Sequence, residues 1–122
     1  ASGGELSRFM LALKAVSTTK SRGKTYIFDE IDTGVSGEIA QKIGEKIKKI
    51  SENNQVICVT HLPQVAAISE NHLFISKEII NGRVLTKVTE LDYNERINAI
   101  ALMLSKGEIT KATIELAKEL LN

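Results

Sequence analysis

Leu6, Phe9, Met10, Leu13 and Val16 recur at three- and four-residue intervals, the period of one helical face, and predict a helix over residues 5 to 19. Polar Ser21-Arg22-Gly23-Lys24 then turns into Thr25-Tyr26-Ile27-Phe28, a short β-forming run of the kind found in buried parallel strands. A second helix opens at Ser36 or Gly37, with Ile39, Ile43, Ile47 and Ile50 as its apolar stripe and Lys42, Glu45, Lys46 and Lys49 on a solvated face. Asn53-Asn54 breaks it before Val56-Ile57-Cys58-Val59, a second continuous apolar strand. Such uninterrupted runs predict burial on both faces, and two strand-helix units in succession predict a parallel sheet.

Pro63 suits the first turn of a short helix reaching about residue 69, where its missing N–H costs nothing. Residues 72 to 77 and 83 to 91 read as strands joined at Asn81-Gly82, a type I′ hairpin signal because both residues tolerate positive φ. The tail predicts two helices, 93 to 105 and 111 to 121, broken at Lys106-Gly107 with Thr110 as N-cap of the second. The pattern is α/β: a parallel sheet with helices, a β-hairpin and carboxyl-terminal helices. With 122 residues it amounts to one domain or part of one.

Composition narrows the function classes. Hydrophobic content of 43% with 25% charged residues is that of a globular chain, and no apolar run is long enough to span a bilayer, so no membrane partner is expected. A net charge of +1 gives no general field for nucleic acid, so most DNA contacts would lie elsewhere. The one cysteine, Cys58, sits in an apolar strand and reads as a core thiol, which suits a reducing compartment. The opening Ala1-Ser2-Gly3-Gly4 has neither the charged nor the apolar stretch of a secretory leader. A chain that opens without Met, inside a loop motif, reads as a piece of a longer protein.

Three motifs could carry chemistry. Asp29 and Glu30 follow an apolar strand and should lie at its carboxyl end, where ligands bind in open α/β sheets. Adjacent residues on an extended chain point apart, so the two carboxylates have separate tasks. Asp29 suits Mg²⁺, held directly or through water, and Glu30 suits polarising a water for attack on a terminal phosphate. Taken alone, the dipeptide more readily fits a strand that simply ends and runs into a loop. His61 ends a second strand of the same character and should emerge at the same edge, where it can donate a hydrogen bond to a phosphate oxygen; alone, it could equally be satisfied by a backbone carbonyl. Ser2-Gly3-Gly4 opens a helix, where free N–H groups favour an anion and glycine permits close approach, though Gly-Gly there can also be a simple helix start. His72 has no such companions and reads as structural.

These residues carry a resemblance. Ser2-Gly3-Gly4-Glu5 resembles the ABC-type signature motif, Tyr26-Ile27-Phe28-Asp29-Glu30 the Walker B strand with its catalytic Glu, and Val59-Thr60-His61 the switch-histidine loop. Within that superfamily, Ser2 to Arg8, Phe28-Asp29-Glu30-Ile31-Asp32-Thr33-Gly34-Val35-Ser36-Gly37 and Thr60-His61-Leu62-Pro63-Gln64-Val65-Ala66-Ala67 are similar to the RecN family of bacterial DNA repair proteins. The tail, Ala101 to Ser105 and Ile109 to Thr113, is similar too, so the resemblance covers essentially the whole chain.

The resemblance implies the carboxyl-terminal half of an ATPase head of the kind found in structural maintenance of chromosomes (SMC) proteins, without its P-loop half or coiled coil. It implies ATP and Mg²⁺ as cofactors, DNA as a partner of the complete protein, and a homodimer in which two heads sandwich ATP. Glu30 and His61 would be catalytic, Asp29 would hold the metal, and Ser2, Gly3, Gly4 and Glu5 would engage ATP bound to the opposite head. Repair of double-strand breaks by recombination, in the bacterial cytoplasm at the nucleoid, is the implied role. Departures from the superfamily pattern are Ala1 where Leu usually leads the signature, and Ser36 where an Asp usually contacts the opposite head. No G-x-x-x-x-G-K-[ST] occurs, so the fragment alone should be inactive. A noncatalytic DNA- or partner-docking module is the alternative from another class. A transporter nucleotide-binding domain is disfavoured by the Ile31-Asp32-Thr33-Gly34-Val35-Ser36 wording.

Overall fold

The computed structural model describes residues 12, 22–29, 31 and 34–122. Of the helix predicted over 5 to 19, Ala12 is described and is helical; the rest lies outside the described residues. Contacts divide the chain into two units, Ala1–Ile68 and Ser69–Asn122.

In the first unit, β1 (Thr25–Asp29) pairs in parallel with β2 (Gln55–Val59), and α1 (Gly37–Ser51) connects them. A parallel pair needs such a crossover, because its strands start at the same edge. That starting edge is tied by Asn54. Its Oδ1 accepts from the Lys24 N–H at 3.1 Å, and its Nδ2 donates to the Ile50 carbonyl at the end of α1, also at 3.1 Å. Backbone bonds from Gly23 N–H to Asn53 O and from Gln55 N–H to Lys24 O, both 2.8 Å, fix the register from the first residue. Asp29 therefore ends β1 opposite Val59.

The core of this unit joins Phe28, Ile31, Ile43, Ile47, Ile50 and Val65, with Tyr26, Val35, Val56, Cys58 and Leu62 packed at its margin. Two expectations are corrected here. The strands are covered on one face only: Phe28 is buried, whereas Ile27 is 70%, Ile57 44% and Val59 56% exposed on the other face. A continuous apolar run reports that both faces avoid water in the finished fold, not that this stretch of chain supplies both covers. The buried side of α1 is also rotated, to Ala40, Ile43, Gly44, Ile47 and Ile50, leaving Ile39 half exposed. Small residues on that side let the short helix α2 (Pro63–Ala67) approach closely.

The second unit begins with a hairpin. β3 (Leu73–Ile80) and β4 (Arg83–Glu90) pair antiparallel, and Asn81 and Gly82 between them hold φ of 51° and 74°, as the type I′ signal requires. Two packed helices follow, α3 (Tyr93–Ser105) and α4 (Lys111–Leu121), with Ile97, Ile100, Ala101 and Ala117 buried. Asp92 and Thr110 each open a helix with a reciprocal capping box, satisfying two orphan donors at a time. No described helix is long and apolar enough to cross a membrane.

Candidate nucleotide site

The residues with candidate chemistry gather where β1 and β2 end. Because Asp29 is in register with Val59, the next residues on β2's side, Thr60 and His61, leave the sheet at the same edge as the Asp29 carboxylate. Thr60 shapes the exit: its Oγ1 accepts the Leu62 N–H at 3.0 Å, turning the chain immediately before Pro63 starts α2. Asp29 and His61 are both exposed at this edge. Both already take part in interactions within the chain.

Ser36 stands at the head of α1 as its N-cap. Its backbone is extended (φ −78°, ψ 163°), its carbonyl accepts from Ala40 N–H at 2.8 Å, and its hydroxyl makes no capping bond. The hydroxyl of this exposed residue is thus not committed to the helix. Glu30 and the signature residues Ser2, Gly3, Gly4 and Glu5 lie outside the described residues. The structure therefore brings Asp29 and His61 to one edge and sets Ser36 at the helix that follows β1.

Among the described residues no group of three or more His, Cys, Asp or Glu side chains could form a metal cage. A lone strand-end carboxylate is nonetheless a donor set that fits Mg²⁺, which keeps several waters and takes its remaining oxygens from phosphates. Cys58 packs at the core margin, as a core thiol should. His72, the other histidine, is half buried in the second unit, and burial followed by the Arg96 charge pushes its pKa below 6.5. It directly precedes β3.

Sequence reasoning assigned no role to Gln64, three residues after His61 on the first turn of α2. Its Nε2 lies 3.3 Å from where a Cβ on Gly37 would stand, and its carbonyl lies 3.4 Å from the same point on Gly44. The spacing Gly37, Ala40, Gly44 was the available signal, since i, i+3 and i+7 share a helical face.

Known proteins are similar to this chain along its whole length. The chain is 52% identical over all 122 residues to the DNA repair protein RecN of Halalkalibacterium halodurans, 51% over 121 residues to that of Bacillus subtilis, and 44% over 121 residues to that of Vibrio cholerae. The chain matches RecN proteins from end to end. It spans 21 to 22% of their length. No family model matches it. A solved structure from work on ATP-driven dimerization and DNA-stimulated activation of SMC ATPases superposes with a TM-score of 0.60 at 24% identity, covering 88% of this chain and 63% of its own. The chain thus shares its fold with part of that solved chain, as the α/β reading of the sequence anticipated.

Proposed function

We propose that this chain is the carboxyl-terminal half of an ABC-type ATPase head in a RecN-like protein of DNA double-strand break repair, catalytic only together with its P-loop half. What supports the reading most is the parallel register that sets Asp29 and the Thr60-His61 exit at one sheet edge, in a chain similar throughout to RecN proteins. In this reading Asp29 helps hold Mg²⁺, which when bound offsets phosphate charge. Glu30 orients and polarises the attacking water. His61 donates a hydrogen bond to a terminal phosphate oxygen. Ser2, Gly3, Gly4 and Glu5 meet the ATP carried by the opposite head, and Ser36 contacts that head across the dimer. Engagement of two heads around ATP would then be linked to DNA held by the complete protein, in the bacterial cytoplasm at the nucleoid.

The test is ATP hydrolysis by the complete protein, with and without linear DNA, comparing the native chain with Glu30→Gln. Retained nucleotide binding with hydrolysis lost is the expected outcome. Unchanged turnover would remove Glu30 from the chemistry, and absence of hydrolysis in both proteins would favour the docking-module reading.

A further inference from the structure

The described residues hold one contact that links the two halves of the candidate site through a side chain with no assigned task. α1 presents Gly37, Ala40 and Gly44 on one face, and Ala40 is fully buried. Against this seam lies the start of α2. A Cβ at Gly44 would meet Ile68 Cδ1 at 2.9 Å and the Gln64 carbonyl at 3.4 Å, and a Cβ at Gly37 would meet Gln64 Nε2 at 3.3 Å. Gln64 is thus seated at both glycines, by its backbone at one and its amide at the other. Its Oε1 is buried and meets no hydrogen-bond partner among the described residues. Such a polar atom costs stability where it stands, so packing alone does not account for an amide at this position.

The position matters because of what each side carries. Gly37 is the first residue of α1, the helix that follows β1 and Asp29 in the chain, and Ile31 and Val35 before it enter the core. Gln64 follows His61 by three residues, and its neighbours Leu62 and Val65 enter the same core. We infer that Gln64 is a positioning residue: its amide, set against Gly37, fixes where the His61 segment stands relative to the start of α1, the helix that follows β1. This inference rests on the ATPase reading of the same site. Glycine at 37 is the other half of the device, because any Cβ there would push the amide by a few tenths of an ångström.

The experiment is a double-mutant cycle in the complete protein, with Gly37→Ala, Gln64→Ala and both together, alongside Glu30→Gln. Displacement of a catalytic segment by less than an ångström should lower kcat by roughly tenfold in each single variant, with the KM for ATP within about twofold of native. The double variant should recover most of the loss of Gly37→Ala relative to Gln64→Ala alone, since the added methyl then meets no amide. Thermal denaturation of each variant separates this from failure to fold, and Gln64→Met, of similar length without the amide, serves if Gln64→Ala does not fold. Native kcat in Gln64→Ala or, where that fails to fold, in Gln64→Met overturns the positioning role while loss of hydrolysis in Glu30→Gln leaves the ATPase reading standing. Equal loss in kcat and melting temperature with strict additivity also overturns it. Unchanged turnover in Glu30→Gln overturns both.

Discussion

Arg96, on the first turn of α3, donates from Nη2 to the Ser69 carbonyl at 2.8 Å and reaches the Ser69 hydroxyl at 3.4 Å. The bond spans 27 residues and ties the chain entering β3 to the helix that follows β4. The Leu91 N–H closes the same loop by donating to the His72 carbonyl at 2.9 Å. A hydrogen bond from a charged donor at a half-buried position contributes about 1.5 to 3 kcal/mol. Arg96→Ala should therefore destabilise the second unit by about that amount, and Arg96→Lys should recover little, because an ammonium lacks the planar fork of guanidinium donors. Urea denaturation of the complete protein, followed by hydrogen exchange at the hairpin amides, checks this.

The same arginine sets a pH dependence. Burial and the nearby Arg96 charge both disfavour the imidazolium of His72, so its folded pKa lies below its unfolded value of 6.5. Between those two values the unfolded chain binds more protons than the folded one, so stability rises with pH through that window and levels off above about 6.5. Acidification from neutral pH should lower the denaturation midpoint of the native protein. In His72→Gln that part of the slope should vanish, so the stability of the native protein relative to the variant should fall as pH drops below about 6.5 and be flat above it. A native-minus-variant difference that grows on acidification would mean instead that folding raises the His72 pKa.

The hairpin turn offers a local test. Asn81 and Gly82 both hold positive φ, and nothing lies within 4 Å of a Cβ placed on Gly82, so a substitution there meets backbone strain without a steric clash. Gly82→Ala should cost about 1 kcal/mol or slightly more, whereas Asn81→Gly should be close to neutral. Denaturation midpoints of the two variants should differ accordingly.

Much of this fold was legible where local chemistry acts alone. Asn81-Gly82 marked the hairpin, Thr110 marked the start of α4, and Asn53-Asn54 marked the end of α1, because caps and tight turns depend on a few neighbouring residues. Ile39 was misread for a different reason. An apolar spacing locates a face only to within a residue or so, and the true face includes Ala40 and Gly44, the latter leaving room for Gln64 and Ile68. Exposure of Ile27 and Val59 was equally invisible, since an apolar strand does not state which segment covers it. The strand-end placement of Asp29 and His61 could be read because parallel pairing follows from strand-helix-strand order. The seat of Gln64 could not, because it depends on a distance between two helices.

Asp29 and His61 share an edge but should fail differently when removed from the complete protein. A carboxylate that helps hold Mg²⁺ acts already in the nucleotide-bound ground state, so Asp29→Ala should weaken Mg²⁺-dependent nucleotide binding as well as hydrolysis. A hydrogen-bond donor aimed at charge that grows on a phosphate oxygen acts mainly in the transition state. His61→Ala should therefore lower kcat by roughly 10² to 10³-fold while leaving nucleotide affinity near native. Titration with a fluorescent ATP analogue, with and without Mg²⁺, together with steady-state turnover separates the two patterns. Native turnover in His61→Ala would take the histidine out of the reaction, and Mg²⁺-dependent binding unaltered in Asp29→Ala would move the metal site to another residue.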